Sequence, residues 1–309
     1  VSFASDPSGA TATTCVAVCT CDRHAMLDTL LTHLPDDIGG RPLTLFVADN
    51  GRDPAGPVLD RHRGRLDIRY DRVDVPGVSP ARNHVLACAR DAGFEFIACI
   101  DDDEWPAPGW LSALMATARD QKADIVIGPV RADLGPGDPE WLRQSGLLDK
   151  EHLIYGSPNL LLRLAALPED PALWFRAEFA RSGGSDWEFL TRLEREGARV
   201  AFAPGALVHE HVPETRKWLR YFLLRGLREG TTFVKSDRVR GVAPARRLWR
   251  ALGTMAKKTL FGIEHLLRAP FSGQWHLVRA GMDFAAVLGV LMALMGLETR
   301  GYGPKLPRR

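Results

Sequence analysis

Cysteine is scarce in this sequence: five in 309 residues, at Cys15, Cys19, Cys21, Cys88 and Cys99. An odd number, set mostly within apolar strand or helix patterns, excludes a disulfide framework and points to buried thiols in a reducing compartment. Cys19 and Cys21 stand two apart on one strand face, but no further Cys or His follows at a spacing that would complete a zinc site with them. Residues 1–13 have neither a basic n-region nor an apolar h-region, so a flexible leader is expected there and not a signal peptide. A membrane-spanning run is also missing. The uncharged stretch 284–297 holds 14 residues, short of the ~20 that cross a bilayer. It reads as a monotopic or re-entrant segment. There is no tandem repeat, no low-complexity tract and no nucleic-acid recognition motif.

What is present suits one large globular domain or two smaller ones, with 45% hydrophobic and 25% charged residues. The net charge of +2 hides a division: residues 1–215 carry 21 basic and 33 acidic side chains, whereas 216–309 carry 19 and 5. Acidic side chains are almost lacking from the last third, which therefore needs a polyanionic partner such as anionic lipid, a phosphorylated substrate or nucleic acid. The expected organisation is a leader over 1–13, a first domain over 14–215 and a basic helical region over 216–309.

From residue 14 to 130, short apolar runs alternate with helical patterns: 15–19, 24–34, 43–48, 66–70, 80–92, 94–100, 108–120 and 125–130. This βα alternation predicts a mostly parallel, doubly wound sheet with helices on both faces. Ser79-Pro80 reads as a helix start, with Ser as cap and Pro in the first turn. Residues 131–182 lose periodicity and are expected as an irregular region over the sheet edge. Order resumes with a helix after Gly183-Gly184-Ser185-Asp186-Trp187-Glu188 and a strand over 199–203. In residues 246–260 a helical wheel puts Arg246, Arg247, Arg250, Lys257 and Lys258 on one arc, opposite Leu248, Trp249, Leu252, Met255 and Leu260. That is the pattern of an interfacial helix on an anionic membrane surface, with docking against the first domain as the other reading.

The most informative stretch is Phe94-Glu-Phe-Ile-Ala-Cys-Ile-Asp-Asp-Asp-Glu-Trp105, where an apolar strand runs into four consecutive acids. Crowded carboxylates must be protonated, splayed into water as a helix-capping turn, or neutralised by a hard divalent cation. The end of a strand in an open α/β sheet is where ligands bind.

Five fragments in order then resemble the family 2 glycosyltransferases with the GT-A fold, over about residues 14–216. They are Cys19-Thr20-Cys21-Asp22-Arg23 after the first strand, Phe46-Val47-Ala48-Asp49-Asn50-Gly51, Gly77-Val78-Ser79-Pro80-Ala81-Arg82-Asn83, Ile100-Asp101-Asp102-Asp103 and Gly184-Ser185-Asp186. Each alone is a weak signal, but the ordered set is a strong one. A sixth, His209-Glu210-His211-Val212-Pro213-Glu214-Thr215-Arg216, resembles the bacterial exopolysaccharide enzymes of succinoglycan type within that family.

The resemblance implies an α/β GT-A fold, a Rossmann-like sheet that binds a nucleotide-diphospho-sugar. It implies an inverting hexosyl transfer from a nucleotide sugar, a UDP-sugar before others, to a lipid-linked or polysaccharide acceptor in cell-surface polysaccharide synthesis. Asp101 and Asp103, with His211, or else His209, as a further candidate, would hold Mn²⁺ or Mg²⁺ against the diphosphate. Thr20, Asp22, Arg23, Asp49, Arg82, Asp101, Asp102, Trp187 and Arg216 would bind the donor, with Asp102 turned to the ribose or to solvent. Asp186 would be the base that deprotonates the acceptor hydroxyl, with Glu188 in reserve. Ser185 departs from the family, in which Glu is common at that position, so the role of that residue stays open. The paired glycines before it are expected to leave room for an acceptor.

The basic region would place the enzyme at the cytoplasmic face of the plasma membrane. Two rivals remain. A sugar-phosphate nucleotidyltransferase should carry a Gly-rich loop where this chain has Cys19-Thr20-Cys21-Asp22-Arg23. A binding module for nucleotide sugars or nucleic acid would use the basic region, though no nucleic-acid partner is expected from its Trp- and Leu-faced helix.

Overall fold

A computed structural model describes residues 13–151, 159–176 and 184–297. Most of the expected leader, and Gly183, lie outside them. The chain divides into two compact units. One comprises residues 1–133, 149–180 and 185–211, the other 134–148, 181–184 and 212–309.

The first unit opens with β1 (Thr14–Thr20) and α1 (His24–His33), then the small hairpin β2 (Asp37–Ile38) and β3 (Arg41–Pro42). There follow β4 (Thr44–Asp49), α2 (Gly56–Leu59), β5 (Asp67–Arg72), α3 (Val78–Asp91), β6 (Phe96–Cys99), β7 (Glu104–Pro106) and α4 (Trp110–Asp120). Next are β8 (Ile125–Ile127) and β9 (Val130–Asp133); α5 (Glu140–Ser145) belongs to the second unit. The first unit resumes with β10 (Leu160–Arg163), α6 (Ser185–Arg195), β11 (Val200–Phe202) and β12 (Val208–His211). The main sheet runs β11-β8-β10-β6-β1-β4-β5, and β7-β12-β9 form a second sheet. Alternation along β1 divides the core: Val16 and Val18 pack with Leu27, Leu30, Leu31 and Trp110 on one face. Cys15 and Ala17 pack with Ala81, Val85, Phe189 and Leu190 on the other. The expected doubly wound, mostly parallel sheet is what forms. Register pairs Thr20 with Asp49 and Ala17 with Cys99, so the carboxyl ends of β1, β4 and β6 come side by side.

Two expectations are corrected. Residues 131–182 are not only an irregular edge, because β10 inserts antiparallel between β6 and β8 near the middle of the main sheet. Its Leu160, Leu161 and Leu162 are all buried, so it lacks the alternation that marks a half-exposed strand. Nor does Ser79 cap α3: Gly77, at φ 118°, occupies the cap, and Ser79 lies buried inside the helix.

In the second unit, α5 precedes three long helices, α7 (Leu219–Val239), α8 (Pro244–Ser272) and α9 (Trp275–Leu294). The backbones of α7 and α9 come unusually close. A Cβ on Gly226 would stand 2.2 Å from the Met282 carbonyl oxygen, and one on Gly230 2.1 Å from that of Ala286. This Gly-x-x-x-Gly spacing is a small-residue groove for a neighbouring helix.

The basic arc expected on α8 is divided. Arg250 pairs at 2.7 Å with Asp237, and Lys258 at 2.9 Å with Asp283; both acids are buried. Arg246 and Lys257 remain exposed. The apolar arc faces outward: Trp249 is 76% exposed and Phe271 89%, with Leu248, Leu252, Leu260 and Leu267 also exposed. By length and composition α9 alone among the described helices is long and apolar enough to cross a membrane, although it also buries His276 and Asp283.

Candidate active site

The acidic run leaves β6 at the carboxyl edge of the main sheet and turns into β7, not into a helix cap. Its four acids have different surroundings. Asp102 is buried and accepts hydrogen bonds from Thr20 Oγ1 at 2.8 Å and Arg23 Nη1 at 2.9 Å. It therefore points inward, not to solvent. Burial raises its pKa against the pull of Arg23. Asp103 shares Arg23, also at 2.9 Å, and its carboxyl is pushed up to about 6 by burial and by the charge of Asp101. Arg23 is thus placed as a countercharge to the acidic run. Glu104 is raised well above the usual carboxylate range by burial, and its Oε1 has no hydrogen-bond partner among the described residues.

Opposite Glu104 in register stands Glu210 of β12, and Lys150 Nζ reaches Glu210 at 3.2 Å. Five carboxylates, at 101–104 and 210, thus gather around few cations. Carboxylate oxygens are the donors a hard divalent ion prefers, and acids held above their ordinary pKa would be relieved by one, although no three of these acids bring their ligand atoms within 4.8 Å of one another.

Arg82 joins this cluster to a distant part of the chain. Its Nη2 donates to Asp101 Oδ1 at 3.3 Å, while Nη1 donates to Asp186 Oδ1. Arg82 is fixed from below by α3, where Asn83 exchanges two hydrogen bonds with the Phe175 backbone, at 3.0 and 2.9 Å. Asp186 lies in the first turn of α6, where the helix dipole favours a negative charge. A small cavity beside the pair is lined by Cys19, Cys99, Arg82, Asp101, Asp186 and Phe189.

Other expected site residues have structural duties. Asp49 is buried and accepts from Gly51 N–H, Ala55 N–H, Tyr70 Oη and Arg72 Nη1, at 2.8 to 2.9 Å. Burial raises its pKa, but these four donors outweigh that and leave it lowered. Asp22, at φ 55°, accepts from the N–H groups of Arg52 and Asp53. Both carboxylates brace the turn after β4. Glu188 is unsuited to be a reserve base, since it is buried and paired with Arg192 at 3.0 Å. Gly184 owes its identity to the fold: φ is 83°, and a Cβ would meet Thr232 Cγ2 at 2.3 Å.

Trp187 is half-buried at the start of α6. The His209 ring stacks on Trp105 at 5.6 Å. His211 is tied to the cluster by its backbone N–H, which donates to the Asp103 carbonyl at 2.7 Å. The ligand atoms of Asp101, Asp103 and His211 do not all come within 4.8 Å of one another. Arg216 lies in the 3₁₀ turn Glu214–Arg216 of the second unit. Glu104, Lys150 and Glu210 went unremarked in the sequence as a network, because nothing local signals a partner 60 positions away.

Comparison with known proteins agrees with this geometry. The chain is 31% identical over 306 residues to the succinoglycan biosynthesis protein ExoM of Rhizobium meliloti (strain 1021), covering 94% of this chain and 96% of that one. It is 30% identical over 239 residues to the hyaluronan synthase of Pasteurella multocida, of which it spans 24%. Among solved structures, S. aureus TarS 1–349 in complex with UDP-GlcNAc superposes with a TM-score of 0.52 at 16% identity, covering 93% of each chain. The mannosyltransferase PcManGT from Pyrobaculum calidifontis, in complex with GDP-Man and Mn²⁺, gives 0.55 at 18% identity, covering 93% of this chain and 89% of that one. These two establish the GT-A fold. With the Glycosyl transferase family 2 model matching residues 15–171, the stretch that carries β1, Arg82 and the acidic run, the chain belongs to glycosyl transferase family 2.

Proposed function

We propose that this glycosyltransferase is metal-dependent and inverting, and moves a hexose from a nucleotide sugar, first among them a UDP-sugar, to a lipid-linked or polysaccharide acceptor. The observation that carries the reading is the Arg82 bridge, which holds Asp101 and Asp186 on either side of one guanidinium. The named complexes of the structural neighbours, with UDP-GlcNAc and with GDP-Man and Mn²⁺, support a nucleotide-sugar donor and a divalent cation. The names of the sequence relatives support a place in polysaccharide synthesis. Family membership removes the ground for a nucleotidyltransferase.

Asp101 and Asp103 would hold the cation, Mn²⁺ or Mg²⁺, with His211 as a further candidate. A bound divalent ion would supply positive charge to the diphosphate leaving group. The rest of the chemistry belongs to the chain. Asp186 takes the proton from the acceptor hydroxyl as that oxygen attacks the anomeric carbon, and a single displacement inverts the centre. Arg82 holds Asp186 in place, so that its orientation does not depend on the acceptor. Thr20, Arg23 and Asp102 form the floor of the donor subsite, while Asp22 and Asp49 shape the turn beside it. Trp187 is assigned to the sugar and Arg216 to the diphosphate by resemblance.

The outward apolar arc of α8, together with α9, supports residence at the cytoplasmic face of the plasma membrane, where lipid-linked acceptors lie. The test is transfer from radiolabelled UDP-glucose to a membrane lipid extract. Label should enter lipid with Mn²⁺ or Mg²⁺ and not with EDTA, and both Asp103→Ala and Asp186→Asn should abolish it. Metal-independent labelling, or an active Asp186→Asn variant, would refute the reading.

A further inference from the structure

At the β5 edge of the main sheet, away from the acidic run, three unlike metal-binding side chains converge. Asp71 comes from β5, whereas His84 and Cys88 stand four apart on α3 and so share one helix face. His84 Nε2 lies 2.9 Å from Asp71 Oδ2. Cys88 Sγ lies 3.4 Å from that nitrogen and 3.8 Å from that oxygen. All three ligand atoms fall within 4.8 Å of one another.

We propose that Asp71, His84 and Cys88 form a zinc site, with the fourth position open to water. Tetrahedral zinc with bonds of about 2.0–2.3 Å sets neighbouring ligand atoms about 3.3–3.8 Å apart. The two contacts made by sulfur already have that spacing, and the nitrogen–oxygen pair need open by only about half an ångström to reach it. The set of one thiolate, one imidazole and one carboxylate suits borderline-soft Zn²⁺, whereas the all-oxygen acids at Asp101 and Asp103 suit Mg²⁺ or Mn²⁺. Metal type therefore separates the two sites. Entry is open, because the Asp71 side chain is 55% exposed and that of His84 37%.

The site has a structural consequence. It would tie β5 to α3, the elements on either side of residues 73–77, and the carbonyl at the end of that turn, on Gly77, accepts from Asn50 Nδ2 at 2.8 Å. Bound zinc would therefore steady the turn leading into the helix that carries Arg82. The proposal stands independently of the transferase reading.

The test uses the full chain loaded with Zn²⁺ and passed through gel filtration, and separately with Co²⁺ as a spectroscopic substitute. One retained zinc and a thiolate-to-cobalt absorption band are expected for the wild type, for Cys21→Ser and for the double variant Asp101→Asn/Asp103→Asn. Both should vanish in Cys88→Ser and in His84→Gln. Melting curves in chelator verify that these two variants fold; if one does not, the other carries the test. The proposal is overturned if the wild type shows no thiolate band, if band and zinc survive in Cys88→Ser or His84→Gln, or if they are lost with the Asp101 and Asp103 substitutions.

Discussion

At Asp49 a single buried carboxylate gathers four donors, two from backbone N–H groups and two from Tyr70 and Arg72. Its folded pKa is depressed below the ordinary 3.8, so the unfolded chain binds the extra proton. The stability it confers is complete above about pH 4 and is lost as the pH falls toward its folded pKa. Asp49→Asn would turn an amide NH₂ toward donors and should cost about 2–4 kcal/mol at neutral pH. Denaturant titrations of the variant should also show a weaker decline of stability in acid than the wild type. An aspartate at a strand end is legible in the sequence, but whether it faces a ligand or its own backbone is not. Asp22 and Asp49 accept from backbone N–H groups of the turn after β4, whereas Asp101 and Asp186 meet at Arg82. Likewise the four-residue spacing of His84 and Cys88 can be read from the chain, whereas Asp71 joins them only through the packing of β5 on α3.

The helices most plainly written in the sequence are those with one wet face. α1, α3 and α4 appear close to their expected limits because apolar periodicity reports a half-buried helix directly, and β4, β5 and β6 follow from their alternation with helix patterns. β10 is hidden because, unlike the equally short and buried β6, it lies in the aperiodic stretch 131–182 and not in the regular alternation of strand and helix patterns. The close approach of α7 and α9 was equally hidden, since a glycine within a helical pattern signals nothing until its neighbour is known. That approach is testable. Gly230→Leu would drive a side chain into the Ala286 backbone, and should destabilise the second unit by about 1–3 kcal/mol or more, read by chemical denaturation. Gly253→Ala, an α8 position with open space around its Cβ, is the control and should leave that transition unmoved or slightly raised.

Across the whole molecule, the division into an acidic and a basic part is the broadest feature that composition alone reveals, yet the structure alters its meaning. Some of the positive charge of α8 is spent on buried Asp237 and Asp283, leaving a largely apolar outer arc. On the proposed membrane reading, attachment should accordingly depend more on apolar contact than on charge. In liposome flotation, the triple variant Trp249→Ser/Leu267→Ser/Phe271→Ser should lose most binding, while Arg246→Gln/Lys257→Gln should lose only the salt-sensitive part. The central claim, that Asp101, Asp103 and Asp186 make one metal-dependent transfer site, is tested most directly by nucleotide release from a panel of sugar donors, with acceptor lipid present, in Mn²⁺ and in EDTA. Release from one donor in Mn²⁺ is expected, abolished by EDTA and reduced about a hundred- to ten-thousand-fold in Asp186→Asn with the donor KM little changed. Equal release in EDTA, or wild-type turnover by Asp186→Asn, would contradict it.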